Sequence, residues 1–425
     1  MLPPTVDTFL AQLHSSNLLS AEQWVEFRPV LEQNPPTSLD GTPATWSVES
    51  LGDELVRRDW LTPWQRDMLL AGHQAFFLGK YKLLDRIGSG GMGAVFKAQH
   101  ATLLRIVALK ILGTSLVCND RAIARFRQEM QAAAALDDLH IVAAYDAESV
   151  GQTHFLVMEY VPGKDLGALL HVVGRLPIGW ACELVRQVSL GLQHAYEQGM
   201  VHRDIKPTNL LVSEDPETGL PLVKILDFGL ARLVSEVVED KGLTETGQVL
   251  GTPDYISPEQ AADTRRADIR SDIFSLGCTL FRLLTGKVPF KGANVMEKLM
   301  ARANGDAPPL RQVRREAPAA LEAVLAKMLA REPADRYQTP REVAAALSPF
   351  ITRFAASDLL NHTPGEAVRT PPAPPVAVPS SDVDPGWQQF LQHLATRAEE
   401  SANGGKAFAE TIDLRLGTGL LNEAG

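Results

Sequence analysis

Apolar positions along this chain change their spacing several times, and each change predicts an element or a break. Ile106-Val107-Ala108-Leu109-Lys110-Ile111-Leu112 is an apolar run interrupted by a single cation. A lysine in such a run is costly unless it is paired or reaches water along its stem. Ala94-Val95-Phe96-Lys97, a little upstream, is strand-like. From Arg121 to Leu136 the pattern turns helical, alanine-rich with Phe126, Met130 and Ala133 on one face and Glu129 at its edge. Val212 to Lys224, carrying Pro216 and Gly219, predicts a longer hairpin to which no role attaches. From Thr363 to Pro385 the chain is proline-rich and predicts a disordered linker, followed by a short amphipathic segment from Trp387 to Glu400 and a polar end.

The first 79 residues carry an internal repeat at an offset of 42. Leu13-x-x-x-Asn17-Leu18-Leu19-Ser20-x-x-Gln23 aligns with Leu55-x-x-x-Asp59-Trp60-Leu61-Thr62-x-x-Gln65. Ser20 with Gln23 and Thr62 with Gln65 each fit a capping box, so the pattern predicts two helix–turn–helix units whose second helices start at their own caps. Pro35-Pro36 and a polar run to Ser50 separate the copies. Trp24, Trp60 and Trp64 are a large apolar load for so short a segment. They suit a docking or regulatory module, or simply its core.

Composition narrows the classes. A chain of 425 residues can build a two-lobed core plus extra segments. Its 41 basic against 51 acidic residues give no case for binding nucleic acid or an anionic membrane. The three cysteines, Cys118, Cys182 and Cys278, have no metal-ligand spacing and suggest no disulfide framework, so a reducing compartment is expected. No apolar run is long enough to span a bilayer, and Met1-Leu2-Pro3-Pro4 does not open a signal peptide. A cytoplasmic location is the expectation.

The candidate chemistry is concentrated between residues 88 and 229. His202-Arg203-Asp204-Ile205-Lys206-Pro207-Thr208-Asn209 is followed 18 residues on by Asp227-Phe228-Gly229. Asp204 can accept a proton from an attacking hydroxyl, Lys206 can hold a transferring phosphoryl group, and Asn209 and Asp227 offer hard oxygen ligands suited to Mg²⁺. Upstream, Gly88-Ser89-Gly90-Gly91-Met92-Gly93 has G-x-G-x-x-G spacing. That pattern alone is shared with dinucleotide sites, but there a helix and an acid follow. Here a strand-like segment follows, with Lys110 where the acid would be. A strand–turn–strand flap over a triphosphate fits better. Glu129 is either the ion-pair partner that presents Lys110 to the α- and β-phosphates or an ordinary solvated helix residue.

On these motifs the chain resembles the Hanks-type (eukaryotic-like) protein kinases, most closely the bacterial serine/threonine kinases, over roughly residues 80–350. The resemblance implies an α+β, two-lobed kinase fold: a β-rich N-lobe over 80–160 and a helical C-lobe over 161–350. A helical extension over 1–79 precedes it, and a Pro-rich linker over 351–386 and a tail over 387–425 follow. It implies phosphoryl transfer from MgATP to Ser/Thr hydroxyls of proteins, with catalytic Asp204, Lys206, Lys110 and Glu129. The nucleotide would meet the glycine-rich residues 88–93, Val95, Ala108, Lys110 and the hinge Met158-Glu159-Tyr160-Val161, with Asn209 and Asp227 on the metal. Thr252, in Gly251-Thr252-Pro253-Asp254-Tyr255-Ile256-Ser257-Pro258-Glu259, would receive the acceptor peptide. Asp272 would brace the catalytic loop, and Arg336 would pair with Glu259.

The pattern departs from the family at Leu136-Asp137-Asp138-Leu139-His140-Ile141-Val142 and at Ser257, both outside the phosphate chemistry. For regulation, Arg203 and Arg232 match basic positions that clasp a phosphorylated activation loop, with Thr244 and Thr246 as acceptors. Those threonines are equally ordinary polar loop residues. The implied partners are ATP, protein substrates, a second copy of the chain for autophosphorylation in trans, and a docking partner for residues 1–79. A kinase-like scaffold that binds nucleotide without catalysis is the rival reading, opposed by the intact Lys110, Asp204, Asn209 and Asp227.

Overall fold

The repeat becomes two helix pairs set 42 residues apart. The computed structural model describes residues 5–32, 46–90, 93–113, 120–228 and 253–361. Helices α1 (Val6–Ser15) and α2 (Ala21–Glu32) form the first pair, α3 (Val48–Arg57) and α4 (Pro63–Leu70) the second. Each turn passes through one left-handed residue, Asn17 at φ 54° and Asp59 at φ 57°. Asn and Asp tolerate that conformation best among residues with a Cβ. Both capping boxes form: the Ser20 amide donates to Gln23 Oε1 at 2.8 Å and the Thr62 amide to Gln65 Oε1 at 2.9 Å. The return bonds, Gln23 N–H to Ser20 Oγ and Gln65 N–H to Thr62 Oγ1, measure 3.2 and 3.1 Å.

The pairs share one apolar core of Phe9, Leu13, Leu19, Phe27, Leu51, Leu55, Leu61 and Leu69, all buried. Trp24, Trp60 and Trp64 pack against it. Phe27 receives the edges of Trp24 and Trp60, with ring centroids at 6.2 and 5.9 Å.

Strand β1 (Phe77–Leu78) pairs antiparallel with β2 (Tyr81–Gly90), β2 with β3 (Gly93–His100), and β3 with β4 (Ile106–Leu112). With β5 (Ala144–Val150) and β6 (Thr153–Glu159) they make a six-stranded sheet in the order β1-β2-β3-β4-β6-β5. The described chain divides into two compact units. One takes in residues 5–113 and Ser149–Phe155, the other residues 120–148 and 156–361.

The second unit begins with helix α5 (Asp120–Ala134), whose buried face holds Ala122, Phe126, Met130 and Ala133. A small sheet of β7 (Gly163–Asp165), β8 (Leu210–Glu214) and β9 (Pro221–Ile225) follows, with helices α6 (Leu166–Val173) and α7 (Ile178–Glu197) between β7 and β8. Helices α8 (Pro258–Ala262), α9 (Ile269–Thr285), α10 (Val295–Asn304), α11 (Leu310–Val313), α12 (Ala319–Met328) and α13 (Pro340–Leu347) complete the helical body. Nearly every residue of α9 is buried, the polar Ser271, Asp272, Ser275 and Thr279 included.

The packed chain does not stop at Phe350, where the linker was expected to start. Helix α14 (Ala356–Leu360) buries Ala356 and Leu359, and Phe354 stacks on Trp180 at 4.2 Å. The Ala356 amide donates to Gly219 O in the β8–β9 hairpin at 2.9 Å. That hairpin therefore anchors the segment after the last large helix. Among the described residues, no helix is long and apolar enough to cross a membrane.

Candidate active site

The first unit carries the glycine-rich flap. β2 and β3 meet with Gly88 opposite Val95, Ser89 opposite Ala94 and Gly90 opposite Gly93. Gly93 has φ 128°, and a Cβ there would lie 1.8 Å from Ile111 O, so only glycine fits. Lys110 sits opposite Val95, and Ala108 opposite Lys97. The Lys110 side chain is nearly buried, at 5% exposure.

The second unit carries the loop from His202 to Asn209, and here geometry is dense. Lys206 Nζ lies 2.7 Å from Asp204 Oδ2, and Asn209 Nδ2 donates to Asp204 O at 2.8 Å and to Oδ2 at 3.1 Å. One carboxylate is thus aimed by a cation and an amide from the turn that follows it. Pro207–Asn209 forms that turn as a short 3-10 helix, with Asn209 N–H donating to Lys206 O at 3.0 Å.

His202, 1% exposed, ties this loop to the segment bearing Asp227. Its Nδ1 accepts the Asp204 amide at 3.2 Å, so its Nε2 carries the proton and donates to Leu226 O at 2.6 Å. The Leu226 amide in turn donates to Asn209 O at 2.9 Å. Both backbone groups of the residue before Asp227 are therefore held by the loop from His202 to Asn209. Phe228 closes on the His202 ring edge-on at 4.7 Å.

Two non-glycine residues here adopt left-handed backbone, Arg203 at φ 69° and Asp227 at φ 66°. Such conformations persist where surrounding bonds over-determine them. For Arg203 those bonds are visible. Asp272 Oδ2 and Oδ1 accept the His202 and Arg203 amides, each at 2.8 Å, and Gln260 Nε2 donates to Arg203 O at 2.7 Å. Burial pushes the Asp272 carboxyl up from its ordinary value, while the hydrogen bonds from the two amides and the Arg203 charge oppose that shift.

Arg336 and Glu259 form a bidentate pair at 2.7 and 2.9 Å. The Arg336 guanidinium, fully buried, also donates to the carbonyls of Ala330, Arg270 and Arg331. Burial would raise the Glu259 carboxyl, but the guanidinium overrides it and holds the group below the usual carboxylate range. Ser271 Oγ adds a bond to Glu259 at 2.6 Å. A pair so satisfied anchors the segment from Ser257 to Ala262 against α9.

Met158 and Glu159 end β6, and Val161 follows half-buried. Glu159 Oε2 pairs with Lys224 Nζ of β9 at 2.9 Å, a contact that nothing in the motif spacing announced. Glu129 is half-buried on α5. Gly91, Met92, Arg232, Thr244, Thr246 and Thr252 lie outside the described residues, as do Cys118 and the tail beyond Asn361.

A glycine-rich flap with a nearly buried lysine in one unit, and in the other a loop that aims one carboxylate and holds the residue before a second acid, are features of the protein kinase class. The protein kinase domain model matches residues 81–347, and the chain belongs to that family. Bacterial kinases are among the proteins it resembles: it is 38% identical over 272 residues to serine/threonine-protein kinase PknB of Mycobacterium leprae, covering 63% of this chain and 42% of that one. It is 34% identical over 328 residues to serine/threonine-protein kinase pkn3 of Myxococcus xanthus, covering 75% and 59%. The chain thus spans less than two thirds of these relatives' lengths. Among solved structures, a double mutant of the PknI kinase domain of Mycobacterium tuberculosis is 25% identical with a TM-score of 0.51, covering 64% of this chain and 96% of that one.

Proposed function

We propose that this protein is a serine/threonine protein kinase that transfers the γ-phosphoryl group of ATP to Ser and Thr hydroxyls of protein substrates and phosphorylates its own activation segment. The observation that carries this reading is the Asp204 carboxylate, oriented by Lys206 and Asn209 within one turn. In this reading Asp204 orients the acceptor hydroxyl and takes its proton as the oxygen attacks phosphorus. General-base help of this kind contributes typically about 10²–10⁴ in rate. Lys206 supplies positive charge to the phosphoryl group as negative charge spreads over its oxygens. Lys110, supported by Glu129, fixes the α- and β-phosphates, while the backbone of Gly88, Ser89, Gly90, Gly91, Met92 and Gly93 covers them. Val95, Ala108, Met158, Glu159 and Val161 receive the nucleoside.

Asn209 and Asp227 fit Mg²⁺, because Asn209 engages Asp204 through its amide nitrogen and keeps its carbonyl oxygen for a hard cation. The bound ion neutralises phosphate charge. Thr252 contacts the acceptor peptide, and Arg203 with Arg232 receives phosphate on Thr244 or Thr246. Two buried free thiols, Cys182 and Cys278, each pushed up to about 12 by burial, support a reducing, cytoplasmic setting. A second copy of the chain is the natural partner for transfer in trans. Trp24, Trp60 and Trp64 are partly buried against the core of the helical module, and a docking partner for residues 1–79 would meet the module's outer surface.

The test is incubation of purified protein with MgATP and mapping of phosphosites beside Asp204→Ala. Phosphate on Thr244 or Thr246 in the parent and none in the variant is expected. ATP binding without transfer to itself or to a generic acceptor protein would establish the scaffold reading instead.

A further inference from the structure

The capping box of α4 does more than start a helix. Strand β2 has a register shift between Leu83, opposite Ala98, and Asp85, opposite Lys97, which leaves Leu84 as an extra residue in the strand. A bulge of this kind bends its strand and raises the local twist, so it sets the direction in which the following residues run. Those residues are Asp85 and Arg86, then Ile87, where the register shifts a second time between Arg86 and Gly88, and then Gly88, Ser89 and Gly90 of the flap.

The carbonyls of the bulge are taken by the helical module. Gln65 Nε2 donates to Leu83 O at 2.6 Å, and Thr62 Oγ1 donates to Leu84 O. Gln65 is 1% exposed, and its Oε1 is simultaneously the acceptor for the Thr62 amide. A glutamine with both ends engaged in a dry site has a single orientation, and the strand it grips shares that constraint.

Three further contacts make the same junction rigid. Trp64, between the two cap residues, lays its ring edge-on against Phe96 of β3 at 5.8 Å and against Phe76 at 5.9 Å. Phe96 is wholly buried and lies three residues past Gly93. Lys82 Nζ donates to Leu18 O, in the turn of the first pair, at 2.9 Å. The module also supplies β1, which pairs with the start of β2. The helical module's side of these contacts lies before the region the kinase family model matches, which begins at Tyr81.

We propose that Thr62 and Gln65 are positioning residues for nucleotide binding: by holding the β2 bulge they aim the glycine-rich flap, so the helical module is a built-in part of the ATP-binding apparatus. The proposal rests on the kinase reading above for the identity of the nucleotide. It makes residues 1–79 a determinant of ATP affinity within the same chain, whatever else contacts their outer surface.

The test uses the full chain and compares Gln65→Met and Thr62→Ala with Thr62→Ser and with Gln23→Met, the matching position of the first pair. Gln65→Met keeps the side chain's length and loses its donor, whereas Thr62→Ser keeps the hydroxyl. ATP affinity is read by titration with a fluorescent ATP analogue and by KM, alongside kcat and thermal midpoint. The expected result is a rise of about three- to tenfold in Kd and KM for Gln65→Met and Thr62→Ala, the loss of one buried hydrogen bond's worth of positioning. Their kcat stays within about twofold, as for loss of binding shared by ground and transition states. Thr62→Ser and Gln23→Met keep the parent's affinity. Lowered thermal midpoints with unchanged Kd and KM in both variants would overturn the proposal and leave the cap a structural feature. If the parent shows no turnover, the kinase reading fails separately, and the Kd comparison alone decides the role of the brace.

Discussion

The two helix pairs at the N-terminus share a plan and differ in what they touch. Positions that specify the pair agree across the offset: the left-handed Asn17 and Asp59, the caps Ser20 and Thr62, and buried Leu13 and Leu55. Positions on the outer face of the second helix do not. Where the first pair has exposed Glu22 and half-exposed Gln23, the second has Trp64 against Phe96 and fully buried Gln65 on a strand carbonyl. Ser20 Oγ turns to Glu22 at 2.8 Å, while Thr62 Oγ1 turns to Leu84 O. A framework of turn, cap and core can thus be copied unchanged while a few surface positions give one copy a binding face.

This comparison can be broken at its core first. Leu13→Ala and Leu55→Ala each remove a wholly buried side chain from the shared core, and each should destabilise the helical module by about 2–5 kcal/mol. Thermal or urea unfolding followed by tryptophan fluorescence reads this directly. A large loss for one variant and none for the other would mean that the pairs are not equivalent halves of one core.

The caps give the next largest effect and should separate the copies. Ser20→Ala removes a helix cap and should cost about 1 kcal/mol. Thr62→Ala removes the cap and a second bond to Leu84 O, so its cost should be about 2 kcal/mol. Equal losses in the same unfolding experiment would show that the contact with β2 adds nothing to stability.

The turns should show the least. Asn17→Gly and Asp59→Gly place the most permissive residue at φ 54° and 57°, relieving the conformation while adding freedom to the unfolded chain. Each should stay within about 0.5 kcal/mol of the parent. Asn17→Ala and Asp59→Ala, by contrast, should each lose about 1 kcal/mol, because a Cβ without a local polar partner disfavours this backbone.

The candidate catalytic loop was legible from sequence because its contacts are local. Asp204, Lys206 and Asn209 lie within one turn, so their spacing fixes which atoms can meet. The brace by Asp272, some 70 residues away, was accessible only through resemblance to a family. Nothing in the spacing pointed to Lys224 as the partner of Glu159, since any of several cations could have taken that place. The tryptophans marked the extension as apolar without saying where each ring would turn. Trp24 and Trp60 went to Phe27 in the module's own core, and Trp64 went to the strands of the flap. The end of the packed chain was also misplaced. Residues 351–361 look like the start of a linker, yet they are held by Trp180 and by a glycine carbonyl in a hairpin.

Taken alone, the sequence determined the protein kinase class, the order of its motifs, the duplicated helix pairs and their caps. These depend on hydrogen bonds and periodicities between residues a fixed few positions apart, which the chain states directly. Only the tertiary structure decided that Gln65 grips Leu83, that Trp64 faces Phe96 and that Ala356 finds Gly219. Backbone carbonyls carry no sequence signature and apolar surfaces accept many neighbours, so those choices are made only when distant segments fold together.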